Sequence, residues 1–408
     1  MKRLLLFASV LFGTALLIFL LVVGLNWDSY ETLFANREGL REGTEWIEKT
    51  YSLRGLTQYI GQNPEKVSVV SYTLTEPDSG IYYRADAPRS MGALSNIFLL
   101  IEYARQVQHD ALDPNSLISI ESINRYKLPE IDGGAHEDAL STLRERGKIK
   151  NNHMTLETAA RALAEFNDLA IADFFYFKFG GGALDSLQQH LKIINTQKTL
   201  PFSGLYISLS PELQNMSFDS LSLKLQAMDR QAINNHVISN AGRYQTDAGF
   251  REQVHTEFSD NGLGLLFTRQ RDLQSTLFPT TTARDLSFVM YQLQQNELLS
   301  EEVSNLVLDL LGWPLQQQQM RNDFEQYGAI YDNRLGILNG VDTGVSAYTG
   351  ATYVQAVLFD DLPVGFWVHM SSNHMHQDYQ QRLIWDPALQ QETRDAVVIT
   401  NKNMKPVN

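Results

Sequence analysis

The sequence predicts an α/β (α+β) domain carried behind one N-terminal transmembrane helix. Three observations predict it. Residues 67–73 and 81–84 read as strands either side of the turn Asp78-Ser79-Gly80. Residues 90–104 run from a small-residue turn into a strongly apolar helix. Residues 4–25 carry no charge.

The chain has 408 residues, 43% of them hydrophobic, enough for one large domain or two ordinary ones behind the anchor. Its net charge of −14 argues against a nucleic-acid partner, which needs a basic footprint. Cysteine is absent, which excludes disulfides, thiol nucleophiles and cysteine metal sites. That absence fits an oxidising compartment.

At about 1.5 Å rise per residue, the run 4–25 is long enough to cross a bilayer core of about 30 Å. Lys2 and Arg3 precede it, and Asp28, Glu31 and Glu38 follow. The positive-inside bias puts the N-terminus in the cytoplasm and the rest outside, in a periplasmic or extracytoplasmic space. A cleaved signal peptide is the alternative, but no A-x-A-like site and no lipobox cysteine is seen. The expected organisation is an anchor at 1–26, a juxtamembrane spacer at 27–60 and the main domain at 61–400. Trp27 and Tyr30 fit the membrane interface or packing on the domain.

The organising helix follows the turn Met91-Gly92-Ala93. Ile97, Phe98, Leu100, Ile101 and Ala104 recur at helical spacing, and Leu94 and Leu99 widen the apolar face. The N-terminus of such a helix presents free N–H groups that favour anions. Ser90 and Ser95 stand at its start. They read as capping residues or as weak nucleophiles, since neither has a lysine three residues on.

Residues 115–150 read as polar and irregular, with a short strand at 117–120. Residues 155–179 form a second helical region, started at Thr155 and stopped at Gly180-Gly181-Gly182. Lys178 in it reads as a surface residue. A further helix covers 183–194. A loop through Ser210-Pro211-Glu212 follows, then polar helix and loop over 216–260. Thr281-Thr282-Ala283-Arg284-Asp285 begins a late helix, and Leu306, Val307, Leu310 and Leu311 continue the helical pattern. Gln316–Gln319 reads as a loop. Residues 335–344 and 351–359 read as strands. After the turn 360–363, residues 364–370 read as another, before a helical end at 379–393. His369, His374 and His376 are close in sequence but lack an H-E-x-x-H spacing, so no metal and no cofactor is expected.

These stretches together resemble class A serine β-lactamases and the related penicillin-binding enzymes, over roughly residues 60–395. In that family a small-residue turn carries S-x-x-K, with a serine nucleophile and its lysine. Ala93 and Asn96 stand at those positions here. The family's S-D-N segment is matched by Asn167, Asp168 and Leu169, so only the aspartate survives. The family's serine there relays a proton and its asparagine hydrogen-bonds substrate; leucine can do neither. The K-T-G strand is matched by Asp342, Thr343 and Gly344. A lysine there attracts the substrate carboxylate, and an aspartate would repel it. Glu212 is the candidate for the family's water-activating glutamate, with a solvated surface residue as the competing reading.

The resemblance implies a mainly antiparallel sheet flanked by helices, with an all-helical lobe and a cleft between them. It also implies a hydrolase fold whose reactive groups are missing. The expectation is a silenced serine hydrolase-like protein that binds peptidoglycan or an envelope protein. The alternatives are an active hydrolase with a rearranged site, working on β-lactams or peptidoglycan peptides, and an unrelated envelope interaction protein.

Overall fold

The computed structural model describes residues 32–316 and 331–403. The uncharged run 4–25, Trp27, Tyr30 and residues 317–319 of the glutamine run lie outside the described residues. Among the described residues, no helix is long and apolar enough to cross a membrane.

Two short helices open the fold, α1 (Thr44–Lys49) and α2 (Leu53–Gln62). Ser52 caps α2, its hydroxyl accepting from the Gly55 amide at 3.2 Å. Leu56, Tyr59 and Ile60 share one helical face and are fully buried. Trp46 of α1 meets Tyr59 edge-on, with ring centroids 5.0 Å apart. Each such side chain stabilises by about 1.5–3 kcal/mol on burial. The spacer expected at 27–60 is corrected accordingly: from Thr44 onward the chain is part of the domain core.

Five strands follow: β1 (Val67–Thr73), β2 (Glu76–Tyr83), β3 (Asn333–Leu335), β4 (Gly340–Val345) and β5 (Thr352–Phe359). They form one sheet in the order β2-β1-β5-β4-β3, and every pair is antiparallel. Side chains alternate across it. Val67, Val69, Ile81, Tyr83, Val357 and Phe359 face one core; Val70, Tyr72, Val341, Val354 and Ala356 face the other.

The second core holds the central helix α3 (Asn96–Gln108). The elements after it form a helical lobe: α4 (Ile120–Asn124), α5 (Ala135–Glu145), α6 (Leu156–Phe166), α7 (Leu169–Phe179), α8 (Phe202–Leu209) and α9 (Phe267–Leu277). Residues 115–150 thus hold two helices, not the irregular chain expected. Helices at Gly181–His190, Phe218–Ala227, Arg230–Thr246 and Ala248–Asn261 complete the lobe. The chain returns to the sheet through α10 (Ala283–Gln294), capped by Thr282 as its sequence predicts, and α11 (Glu301–Leu311).

Three helices close the fold on the first core: α12 (Val364–Asn373), α13 (Met375–Trp385) and α14 (Pro387–Asn403). The strand expected at 364–370 is corrected to helix. Phe366, His369 and Met370 are buried at i, i+3 and i+4, and Trp367 points out. A short, continuously apolar run does not reveal its period, and here packing on α1 and α2 selects the helix.

Candidate functional site

The turn before α3 is a short 3-10 segment, Gly92–Ser95. Gly92 has φ +48°, which favours glycine. Ala93 is partly exposed and offers only a methyl group. The Ser95 hydroxyl is buried and donates to the Gly92 carbonyl at 2.9 Å. Ser90 lies on a two-residue bridge to Thr280–Thr281, and its amide donates to Asp360 Oδ2 at 3.2 Å. Among the described residues, neither serine hydroxyl is hydrogen-bonded to a base.

Asn96 is fully buried, and its Nδ2 donates to Asn167 Oδ1 at 3.5 Å. The two positions matched to S-x-x-K and S-D-N therefore meet in space. Asn167 owes its place to backbone geometry. It ends α6 in the left-handed region at φ +53°, where asparagine is better tolerated than most residues. The helical region 155–179 is split there. Asp168 then caps α7, its Oδ1 accepting from the Ile171 amide at 2.8 Å. Its other oxygen is 2.6 Å from His136 Nδ1, and His136 Nε2 is 2.9 Å from Asn124 Oδ1. Both members of the His136–Asp168 pair are buried. Leu169 is half-buried in the first turn of α7.

The K-T-G match is divided by the sheet. Asp342 and Thr343 are neighbours on β4, so they face opposite cores. Asp342 is fully buried and bound to Arg334 of β3 at 2.8 Å. Arg334 is also held by Gln380 of α13 at 2.8 Å. Burial pushes the Asp342 carboxyl up to about 6, against the lowering effect of Arg334. The expected repulsion of a substrate carboxylate is therefore corrected. Asp342 presents no charge to solvent. Thr343 donates to Asn333 Oδ1 at 3.0 Å and accepts from Gln294 of α10 at 2.9 Å. Gly344 is buried beside it.

A different part of the sheet touches the turn before α3. Gly336, just past β3, has φ +101°, and a Cβ there would lie 2.8 Å from Leu94 Cδ2. The end of β3 thus lies against the turn before α3. Glu212 is exposed on the turn after α8, and Lys178 is exposed in the last turn of α7. A cavity of about 1100 Å³ lies elsewhere, against α6 and α11. Of the cations that line it, Arg146 is paired with Glu165 and Arg161 with Glu157, and Lys148 and Lys150 line it as well.

His369 and His376 serve helix ends. His369 Nδ1 is 3.1 Å from Asn373 Nδ2, and His376 Nδ1 is 2.9 Å from the Met370 carbonyl. Among the described residues, no group of three His, Cys, Asp or Glu side chains is placed to hold a metal ion. Sequence reasoning missed His136, Asn124 and Arg334. His136 is a lone histidine in a polar stretch and gives no signal. Arg334 was findable as the cation eight residues before Asp342.

No family model and no curated protein matches the sequence. Solved structures are similar over most of the chain. The β-lactamase from Sphaerobacter thermophilus is 13% identical, covering 87% of this chain and 99% of its own, with a TM-score of 0.44. PBP-A is 12% identical, with 86% and 96% covered and a TM-score of 0.43. The extended-spectrum β-lactamase TLA-1 is 12% identical, with 86% and 99% covered and a TM-score of 0.45.

Proposed function

We propose that this chain is a membrane-anchored, outward-facing β-lactamase-like protein that has lost acyl transfer and acts as a binding or scaffolding protein at the cell wall. The observation that carries this reading is the pairing of Asn96 with Asn167 behind a methyl group at Ala93. Acyl transfer needs a nucleophile, a base that takes its proton and a donor that returns it. Neither asparagine ionises in the working range, and alanine has no proton to give. The surviving Asp168 is occupied by a helix cap and by His136. The rearranged-site alternative gains nothing from Ser95, whose hydroxyl is buried.

The test of the binding role is co-sedimentation of the full-length, detergent-solubilised protein with purified peptidoglycan sacculi. The expected result is saturable retention in the pellet that soluble muropeptides compete away. Protein that stays in the supernatant, while a known wall-binding control pellets, contradicts the role.

A further inference from the structure

Exposed apolar side chains gather where the described chain begins. Leu33 is 51% exposed and Phe34 is 70% exposed. A second apolar run, Leu263-Gly264-Leu265-Leu266-Phe267, connects Ala248–Asn261 to α9. Leu266 is 40% exposed within it, and Leu263, Leu265 and Phe267 are half-buried. Loops of this size normally carry polar residues.

Asn36 joins the two runs. Its Nδ2 donates to the Thr32 carbonyl at 2.9 Å, and its Oδ1 accepts the Phe267 amide at 2.6 Å. A Cβ at Gly39 would lie 3.0 Å from Thr268 Cγ2, so the chains stay in contact beyond that bond. Segments 231 positions apart thereby meet at one junction, with Leu33 and Phe34 close in sequence to Asn36 and Leu266 adjacent to Phe267. Contiguous exposed apolar surface marks an interaction site more often than scattered residues do.

We infer that this junction rests on the lipid bilayer, with Phe34 and Leu266 entering its interface. The occupant follows from where the chain goes next, so the inference rests on the anchored reading of residues 4–25. That run ends at Leu25, and the described chain begins at Thr32. Even fully extended, the intervening chain spans at most about 25 Å. The junction is thus the part of the domain held nearest the membrane. Leucine and phenylalanine gain from leaving water at that boundary, typically at a depth of about 5–10 Å.

The absence of cysteine allows clean single-site labelling of the full chain. Variants Phe34→Cys, Leu266→Cys and Leu17→Cys carry an environment-sensitive fluorophore. They are reconstituted in vesicles of phosphatidylethanolamine and phosphatidylglycerol. Spin-labelled lipids quench either near the headgroup or deep in the acyl region, and soluble iodide probes access from water. The Leu17 label reports the anchor, and the other two report docking. Expected is deep quenching at 17 and roughly twofold shallow quenching at 34 and 266, matching an interfacial depth. Deep quenching at 17 with labels at 34 and 266 open to iodide overturns docking and leaves the anchor intact. Labels at 34 and 266 closed to both quenchers assign the junction to a protein partner or a second copy, and also overturn it. No quenching at 17 removes the anchored reading, and docking falls with it. Both junction residues are exposed, so the substitutions leave the core untouched.

Discussion

Asn96 and Asn167 lie 71 positions apart in sequence, yet their side-chain amides meet at 3.5 Å in the interior. A small-residue turn and a helix cap bring them together. Two amide side chains thus meet where the turn and the cap converge, and neither ionises in the working range.

The backbone at Asn167 yields the first prediction. Its left-handed conformation penalises a Cβ-bearing residue without asparagine's local hydrogen bonding by about 1–2 kcal/mol. Asn167→Ala should lower unfolding stability by about that amount, and Asn167→Gly by clearly less. Chemical denaturation of the two variants checks it. Equal losses would place the cost in the Asn96 contact instead.

Asp168 should behave as a structural residue. Asp168→Ala removes the cap of α7 and leaves the buried His136 without its hydrogen-bond partner at Nδ1, a loss of about 2–4 kcal/mol. Asp168→Asn keeps a cap acceptor and should lose less. Denaturation midpoints of both variants decide it, and an alanine variant of wild-type stability would contradict the arrangement.

Two buried groups should give opposite pH dependence. Asp173 of α7 accepts the Phe202 amide at 2.6 Å and the Ser203 amide at 2.8 Å, and burial raises its carboxyl to about 6. The folded state then binds its proton more tightly than the unfolded state. Its contribution is full below pH about 4 and is lost as pH rises through 6. Burial lowers His376 to about 4, so its contribution is present above pH about 6.5 and is lost as pH falls through 4. Asp173→Asn should therefore remove a loss of stability between pH 4 and 6, and His376→Gln should remove a gain. Unfolding free energies across that range, compared with wild type, test both signs. Unchanged slopes would show that neither group is perturbed.

Arg334 and Asp342 form a buried pair, at 2.8 Å, between adjacent strands. Removing one partner leaves the other charge uncompensated, at about 3–5 kcal/mol. Arg334→Met with Asp342→Leu should cost much less than the sum of the single changes. A double-mutant cycle measures this. Additive losses would mean that the pair is not coupled.

Much of this architecture was legible in sequence. The strand at 67–73, α3 with its buried Ile97, Phe98, Leu100 and Ile101, and the Thr282 cap all follow local rules, but the turn expected at Asp78-Ser79-Gly80 lies inside β2 and the hairpin turns at 74–75 instead. The meeting of positions 96 and 167 is not signalled by any spacing in the sequence. What escaped the sequence is tertiary. The face on which Asp342 lies depends on its pairing with Gln355 and Arg334, so a charge reversal in sequence became an internal ion pair. Residues 364–370 carry no clear period, and their partners α1 and α2 lie some 300 positions earlier. The Trp46, Leu56, Tyr59 and Ile60 side chains looked like spacer because charges separate them; the helix collects them on one side.

Acylation by a reporter penicillin, read by intact mass on the folded full-length protein, tests the central claim most directly. The prediction is no adduct after long incubation, in wild type and equally in Ala93→Ser, because the restored hydroxyl still lacks a base at position 96. A stoichiometric adduct on the wild-type chain would contradict the loss of acyl transfer, and its position would identify the nucleophile.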